Sequence, residues 1–170
     1  IVRTDNSFRN ARIDWEMTKE LILKKIDNNS ILITQGFIGC TSENFTTTLG
    51  REGSDFTAAL IASVVKSKEL VIWKDVPGIL SSDPRFFKNS IKIDRLSYNE
   101  AIELAYYGAK VIHPKTIQPL KEKNIPLIVR SFKDLSLKGT IVSSNSEISP
   151  LIPFFILKEN QVLISISAKD

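Results

Sequence analysis

Ten residues constrain this chain more than any others: Thr46-Thr47-Thr48-Leu49-Gly50-Arg51-Glu52-Gly53-Ser54-Asp55. This polar run with two glycines leads directly into an alanine-rich apolar segment, residues 56–65. Upstream, Ser30-Ile31-Leu32-Ile33-Thr34 predicts a short strand buried on both faces of a sheet, because it is apolar without alternation. The order is therefore strand, loop, helix start. Glycine lets the backbone turn sharply and approach a ligand closely. The first amides of the helix lack internal partners and can face an anion. Arg51 offers a planar fork for a carboxylate or a phosphate. Ser54 and Asp55 fall at the expected N-cap and first turn. A capped helix after a flexible loop would carry many of the same residues. Arginine and aspartate together in one glycine-lined loop favour a site. It is not a Walker loop, because the Lys-Ser/Thr ending is missing.

Composition bounds the rest. The 170 residues suffice for one domain with a sizeable core. With 42% hydrophobic and 25% charged residues the chain reads as globular. The net charge of +4 comes from scattered lysines, not from a basic stripe interleaved with aromatics, so nucleic-acid binding is not expected. No apolar run reaches the roughly 20 residues needed to span a bilayer. One cysteine, Cys40, and one histidine, His113, cannot build a familiar zinc site, and the cysteine usage makes the cytoplasm the expected compartment. The opening Ile1-Val2-Arg3-Thr4-Asp5 reads like the middle of a longer protein.

Taken in order, residues 1–11 read as an opening strand or loop. Asp14 caps a helix reaching about Ile26, with Trp15, Thr18, Leu21, Ile22 and Ile26 at helical spacing and Asn28-Asn29 as its stop. Gly36 and Gly39 follow the expected strand end, where open α/β sheets bind ligands. Residues 40–45 read as a surface loop or hairpin tip. A helix is expected over 54–66 and a strand over 70–73, with Asp75 at the strand's end. Pro77-Gly78 and Asp83-Pro84-Arg85 are rigid corners. Ser97-Tyr98-Asn99-Glu100 is a capping box, and Gly108 closes the helix it opens. Pro114 starts another helix reaching about Lys123, with His113 in a helix-opening or core role rather than as a general base. Strands are expected over 125–130 and 138–142. Residues 143–149 are small and polar and read as a linker, and 151–157 and 161–167 as the first strands of a second unit. The alternation of strands and helices predicts an α/β fold, an open and mainly parallel sheet flanked by helices.

Several segments in the same order resemble one family. The run from Thr46 to Asp55 is similar to the Thr-Thr-Leu-Gly-Arg-Gly-Gly-Ser-Asp segment of aspartate kinases. The likeness continues through Ile72-Trp73-Lys74-Asp75-Val76-Pro77-Gly78-Ile79, Asp83-Pro84-Arg85, Leu96-Ser97-Tyr98, Glu100-Ala101 and Tyr107-Gly108-Ala109-Lys110-Val111-Ile112-His113-Pro114. The resemblance implies the C-terminal, nucleotide-binding lobe of the amino-acid kinase fold. It divides the chain into a partial kinase domain over 1–142, a linker over 143–150 and the start of an ACT regulatory domain over 151–170. It implies ATP-dependent phosphorylation of the β-carboxylate of L-aspartate, with Mg2+, at the head of lysine, threonine and methionine biosynthesis. A homodimer through ACT domains is the implied assembly.

The resemblance also assigns roles. Arg51 grips the substrate α-carboxylate, Ser54 and Asp55 lie beside the substrate with Asp55 at the reacting end, and Phe37 walls the pocket. Lys74, Asp75, Leu80, Arg85, Lys110 and Val111 line the nucleotide pocket, with Lys110 reaching the phosphates. Phosphoryl transfer needs positioning and charge neutralisation more than a covalent partner, which suits these residue types. Three positions depart from the family pattern: Glu52 replaces a glycine, Lys74 a threonine and Leu80 a tyrosine. The family's Lys-Phe-Gly-Gly segment is not in this chain, so the chain alone is expected to be inactive. The competing readings are another amino-acid kinase acting on acetylglutamate, glutamate or uridylate, and a non-catalytic nucleotide-binding or regulatory module.

Overall fold

In the computed structural model, residues 1–27, 30–109, 111–144, 152–162 and 164 are described. Local chemistry sets most of the helix ends. The Asp14 carboxylate accepts from the Met17 amide at 3.0 Å and caps α1 (Trp15–Leu23). This helix stops short of Ile26: the Lys24 amide still donates to the Glu20 carbonyl at 3.1 Å, but the Lys25 amide donates to the Ile22 carbonyl at 2.9 Å, a tighter last turn. Strands β1 (Ile38–Cys40) and β2 (Thr46–Thr48) form an antiparallel hairpin, with residues 41–45 as its tip. Helix α2 (Gly53–Val65) follows, and then β3 (Leu70–Lys74).

Strand β4 (Arg95–Ser97) runs directly into α3 (Tyr98–Tyr107) through the expected capping box. Ser97 Oγ accepts from the Glu100 amide, and the Glu100 carboxylate accepts from the Ser97 amide at 2.7 Å. Gly108, at φ +118°, ends α3. His113 caps α4 (Pro114–Lys123), its Nδ1 accepting from the Lys115 amide at 3.1 Å, which is the helix-opening role. Strands β5 (Leu127–Ser131) and β6 (Thr140–Ser143) complete the main sheet.

The sheet order is β3-β5-β6-β4. β3 with β5 and β4 with β6 are parallel pairs, and β5 with β6 is antiparallel. The architecture is α/β with a mixed, mostly parallel sheet flanked by helices. Gly139 brings β6 back onto β5: at φ +79°, a Cβ there would sit 2.1 Å from the Val129 carbonyl oxygen, so only glycine fits. Leu96, Ile117, Leu120, Leu127, Val129 and Val142 are fully buried in one core between sheet and helices. Ala59 and Ala62 let α2 pack closely on this layer. A second cluster of Val2, Ile22, Leu49, Phe56 and Leu60 joins α1 and the N-terminal segment to α2.

Three expectations are corrected. Residues 30–34 form no strand, and Ile31 and Ile33 are 95% and 94% exposed; no ladder partner lies beside them among the described residues. Ser54 is not the N-cap: α2 begins one residue earlier at Gly53, with Glu52 before it in the left-handed region at φ 52°. Residues 152–162 form no strand of a second unit. They lie against the first one, with the Phe155 amide donating to the Ser81 carbonyl at 2.8 Å and the Phe155 ring 5.9 Å from that of Phe87. Asn28, Asn29, Lys110, residues 145–150, Leu151, Leu163 and residues 165–170 lie outside the described residues. No helix among the described residues is long and apolar enough to cross a membrane.

Candidate active site

The glycine-lined loop is a packed structure. A Cβ on Gly36 would lie 2.8 Å from Ser54 Cα, and one on Gly53 would lie 2.8 Å from the Phe37 ring. Each glycine is therefore needed for the β1 approach to meet the α2 N-terminus. Phe37 is pinned from both sides. Its amide donates to Thr57 Oγ1 at 3.0 Å, and its carbonyl accepts from the Leu49 amide at 2.9 Å. Thr57 in turn donates to the Gly53 carbonyl at 2.7 Å. The result brings Phe37, Arg51, Ser54 and Asp55 to one end of α2. Arg51 and Ser54 are exposed, and no described residue pairs with the Arg51 guanidinium. Glu52 is less comfortable. It occupies a backbone region that glycine adopts freely, and its Oε2 is buried without a hydrogen-bond partner.

Asp55 is paired. Lys74 Nζ, at the end of β3, donates to Asp55 Oδ2 at 2.6 Å. The side chains are 27% and 15% exposed. One residue further, Asp75 lines a cavity of about 800 Å³, and its carboxylate lies 3.8 Å from Lys133 Nζ. Leu80, Arg85 and Val111 line the same cavity, so four of the six nucleotide-side residues share it. Lys74 lies beside it rather than in its wall, and Lys110 is outside the described residues. Arg85 is aimed by its neighbour: Nη2 and Nε donate to the Asp83 carboxylate at 2.6 and 3.0 Å. These hydrogen bonds and the nearby negative charge raise the Arg85 pKa above its usual value. The guanidinium remains cationic at any ordinary pH.

Loop, strand end and cavity belong together in a recognisable way. Residues 1–131 match the amino acid kinase family. The chain belongs to that family. Over an alignment of 170 positions that covers 98% of its length, it is 41% identical to lysine-sensitive aspartokinase 3 of Escherichia coli (strain K12). It is 38% identical, over 96% of its length, to the aspartokinase of Chlamydia muridarum. In both comparisons the chain spans 38% of the relative's length. The crystal structure of E. coli aspartokinase III in complex with aspartate and ADP superposes with a TM-score of 0.82 at 42% identity, covering 86% of this chain and 34% of that one.

One part of this family member's cavity was not visible in the sequence. Phe154, Phe155, Ile156, Leu157 and Lys158 form a wall of it. Nothing in that apolar run distinguishes a cavity wall from a strand. Thr57 was also missed, since a threonine inside a helix carries no signal that its hydroxyl holds a loop 20 residues upstream.

Proposed function

We propose that this chain carries the substrate loop and nucleotide cavity of an aspartate kinase, which transfers the γ-phosphoryl group of ATP to the β-carboxylate of L-aspartate. The observation that carries this reading is 41% identity across 98% of the chain to an aspartokinase. The geometry supports it. Arg51 is exposed and unpaired among the described residues, ready to bind a carboxylate as a bidentate fork. Phe37 and Ser54 lie at the same end of α2. Asp75, Leu80, Arg85 and Val111 share a cavity large enough for a nucleotide. Lys110 completes the phosphate side in this reading. Among the described residues no three Asp, Glu, His or Cys side chains converge on a metal position. In this reading Mg2+ arrives on the nucleotide phosphates, where it neutralises charge.

In the same reading, residues 1–142 belong to the kinase domain, 143–150 to a linker and 151–170 to an ACT regulatory domain through which the protein dimerises in the cytoplasm. The sensitivity to lysine in the relative's name supports a feedback role for such a domain.

The test is a coupled assay of ADP release by the full-length protein with Mg-ATP and aspartate, glutamate, N-acetylglutamate or UMP as acceptor, with hydroxylamine trapping of the acyl phosphate for the carboxylate acceptors. Product with aspartate alone supports the reading, and transfer to another acceptor in its place overturns it. Arg51→Ala should raise KM for aspartate about 10–100-fold, the equivalent of losing one charge-assisted hydrogen-bonded contact.

A further inference from the structure

Residues 152–162 do more than cover the first unit. Ile152 and Phe154 pack on its main core. The Phe155 amide donates to the Ser81 carbonyl at 2.8 Å, a parallel bridge joins Ser82 to Phe155, and the Phe155 and Phe87 rings stack with centroids 5.9 Å apart. From this anchor the chain runs on along the cavity, and each residue from Phe154 to Glu159 lines it. Lys158 arrives at the C-terminal end of α3. A Cβ placed on Gly108, the residue that ends this helix, would lie 2.9 Å from Lys158 Cε and 3.6 Å from its Nζ. Gly108 lines the same cavity.

The charges around the cavity give this position its meaning. Among the described residues, its charged lining consists of Asp75, Asp83, Arg85, Lys158 and Glu159. Carboxylates outnumber cations, and Arg85 already donates to Asp83 through Nε and Nη2. Lys158 is exposed and forms no ion pair among the described residues. The C-terminus of a helix also carries partial negative charge, which disfavours a nearby anion. The last turn of α3 holds no basic residue to offset it. A polyphosphate entering here therefore needs a cation that no carboxylate has claimed. A lysine on a flexible stem supplies one, with three donors that can follow the phosphate oxygens.

We propose that Lys158 binds the phosphates of the nucleotide in this cavity, so that the segment 152–162 contributes a ligand to the nucleotide site. The inference rests on the nucleotide-cavity reading above. In that reading Lys110 is the phosphate lysine from the first unit, and Lys158 is a second one that reaches the cavity from beyond β6 in the chain.

The experiment compares Lys158→Met, Lys158→Arg and Lys158→Glu with the wild type in the full-length protein. It reads calorimetric affinities for Mg-ADP and Mg-ATP at low and high salt, and the affinity for adenosine by displacement of a fluorescent ADP analogue. It also reads the Tm without nucleotide and the rate of aspartate phosphorylation. Lys158→Met should weaken Mg-ADP and Mg-ATP about 5–10-fold, the low end for a charge-assisted contact because the site is open to solvent. Adenosine, which has no phosphate, should bind within about twofold of wild type. Lys158→Arg should keep most of the nucleotide affinity, and Lys158→Glu should lose more than Lys158→Met. The loss in Lys158→Met should shrink at high salt. The Tm should not move, since the side chain is exposed and makes no hydrogen bond among the described residues.

Nucleotide affinities within about twofold of wild type in Lys158→Met overturn the proposal. So does an equal loss of adenosine, which would make the lysine part of the cavity's shape rather than a phosphate ligand. A lowered Tm with unchanged affinity also overturns it, because Lys158 would then serve only the end of α3. Charge-dependent nucleotide binding in a protein that does not phosphorylate aspartate upholds the Lys158 assignment and overturns the aspartate reading. Aspartate phosphorylation with nucleotide affinity indifferent to Lys158 does the reverse, and a wild type that binds no nucleotide overturns both.

Discussion

Ile31-Leu32-Ile33 and Leu127-Ile128-Val129 are nearly the same three-residue message, yet the fold treats them oppositely. In the second, Leu127 and Val129 are fully buried in β5, which is paired on one side with β3 and on the other with β6. In the first, Ile31 and Ile33 stand almost completely exposed, and Leu32 is 54% exposed. An apolar run does not make a strand. It becomes one when neighbours supply hydrogen bonds on its edges and apolar surface on its faces. β5 has both, with α4 preceding it and two strands flanking it. Residues 30–34 have neither among the described residues.

The most direct way to break this comparison is a matched pair of truncations. Leu127→Ala should destabilise the protein by about 2–5 kcal/mol, because the buried site cannot fully collapse around the void. Ile33→Ala should change stability by less than about 0.5 kcal/mol, as an exposed substitution does. Denaturant titrations of the two variants check this. Comparable losses would mean that residues 30–34 are covered in solution and that the contrast is false.

A polar contact tests whether the built region depends on more than apolar burial. Thr140 is fully buried in β6. Its Oγ1 accepts from the Ile79 amide at 2.8 Å and donates to the Ile93 carbonyl at 2.6 Å, tying both ends of the β3–β4 connection to the sheet. Thr140→Val keeps the shape and strands both backbone groups. A loss of about 1–3 kcal/mol is expected in the same titration. A neutral result would imply that the connection finds other partners.

What could be read beforehand follows from the range of the forces involved. The caps at Asp14, Ser97 with Glu100, and Gly108 were legible because each is satisfied within four residues. Asp75, Leu80, Arg85 and Val111 were grouped through family likeness, and one cavity unites them. The Asp55–Lys74 pair spans 19 residues and two elements, so nothing local announced it. The strands expected at 30–34 and 151–157 failed for the converse reason, while most of the one expected over 161–167 lies outside the described residues. Their apolar pattern was correct, but the pattern cannot name its partner.

Glu52 sharpens the contrast from the loop side. Its left-handed backbone costs a non-glycine residue about 1–2 kcal/mol, and its buried, unpartnered Oε2 adds a penalty. Glycine would relieve both while making the unfolded chain more flexible, which returns about 0.5–1 kcal/mol. Glu52→Gly should therefore stabilise the protein by about 1 kcal/mol, read as a higher denaturation midpoint with unchanged slope. A loss of stability would mean that Glu52 has a partner in solution.

The smallest expected effect is alkaline, and it concerns the built region again. The Tyr98 ring is buried, its hydroxyl donates to the Ile125 carbonyl at 2.7 Å, and burial raises its pKa above the ordinary value of 10.0. The folded state therefore holds the phenolic proton more tightly than the unfolded chain does. Below about pH 10 both states keep it, and the stabilisation is fully present. As pH rises from there through the folded-state pKa, the unfolded chain releases the proton first, so stability falls. Tyr98→Phe removes the hydrogen bond and this proton together. It should lower stability by about 1 kcal/mol at neutral pH and flatten the decline above about pH 10. If the alkaline limb keeps its slope in Tyr98→Phe, the decline belongs to other groups, and the burial that separates β5 and its neighbours from residues 30–34 does not extend its electrostatic effect to this ring.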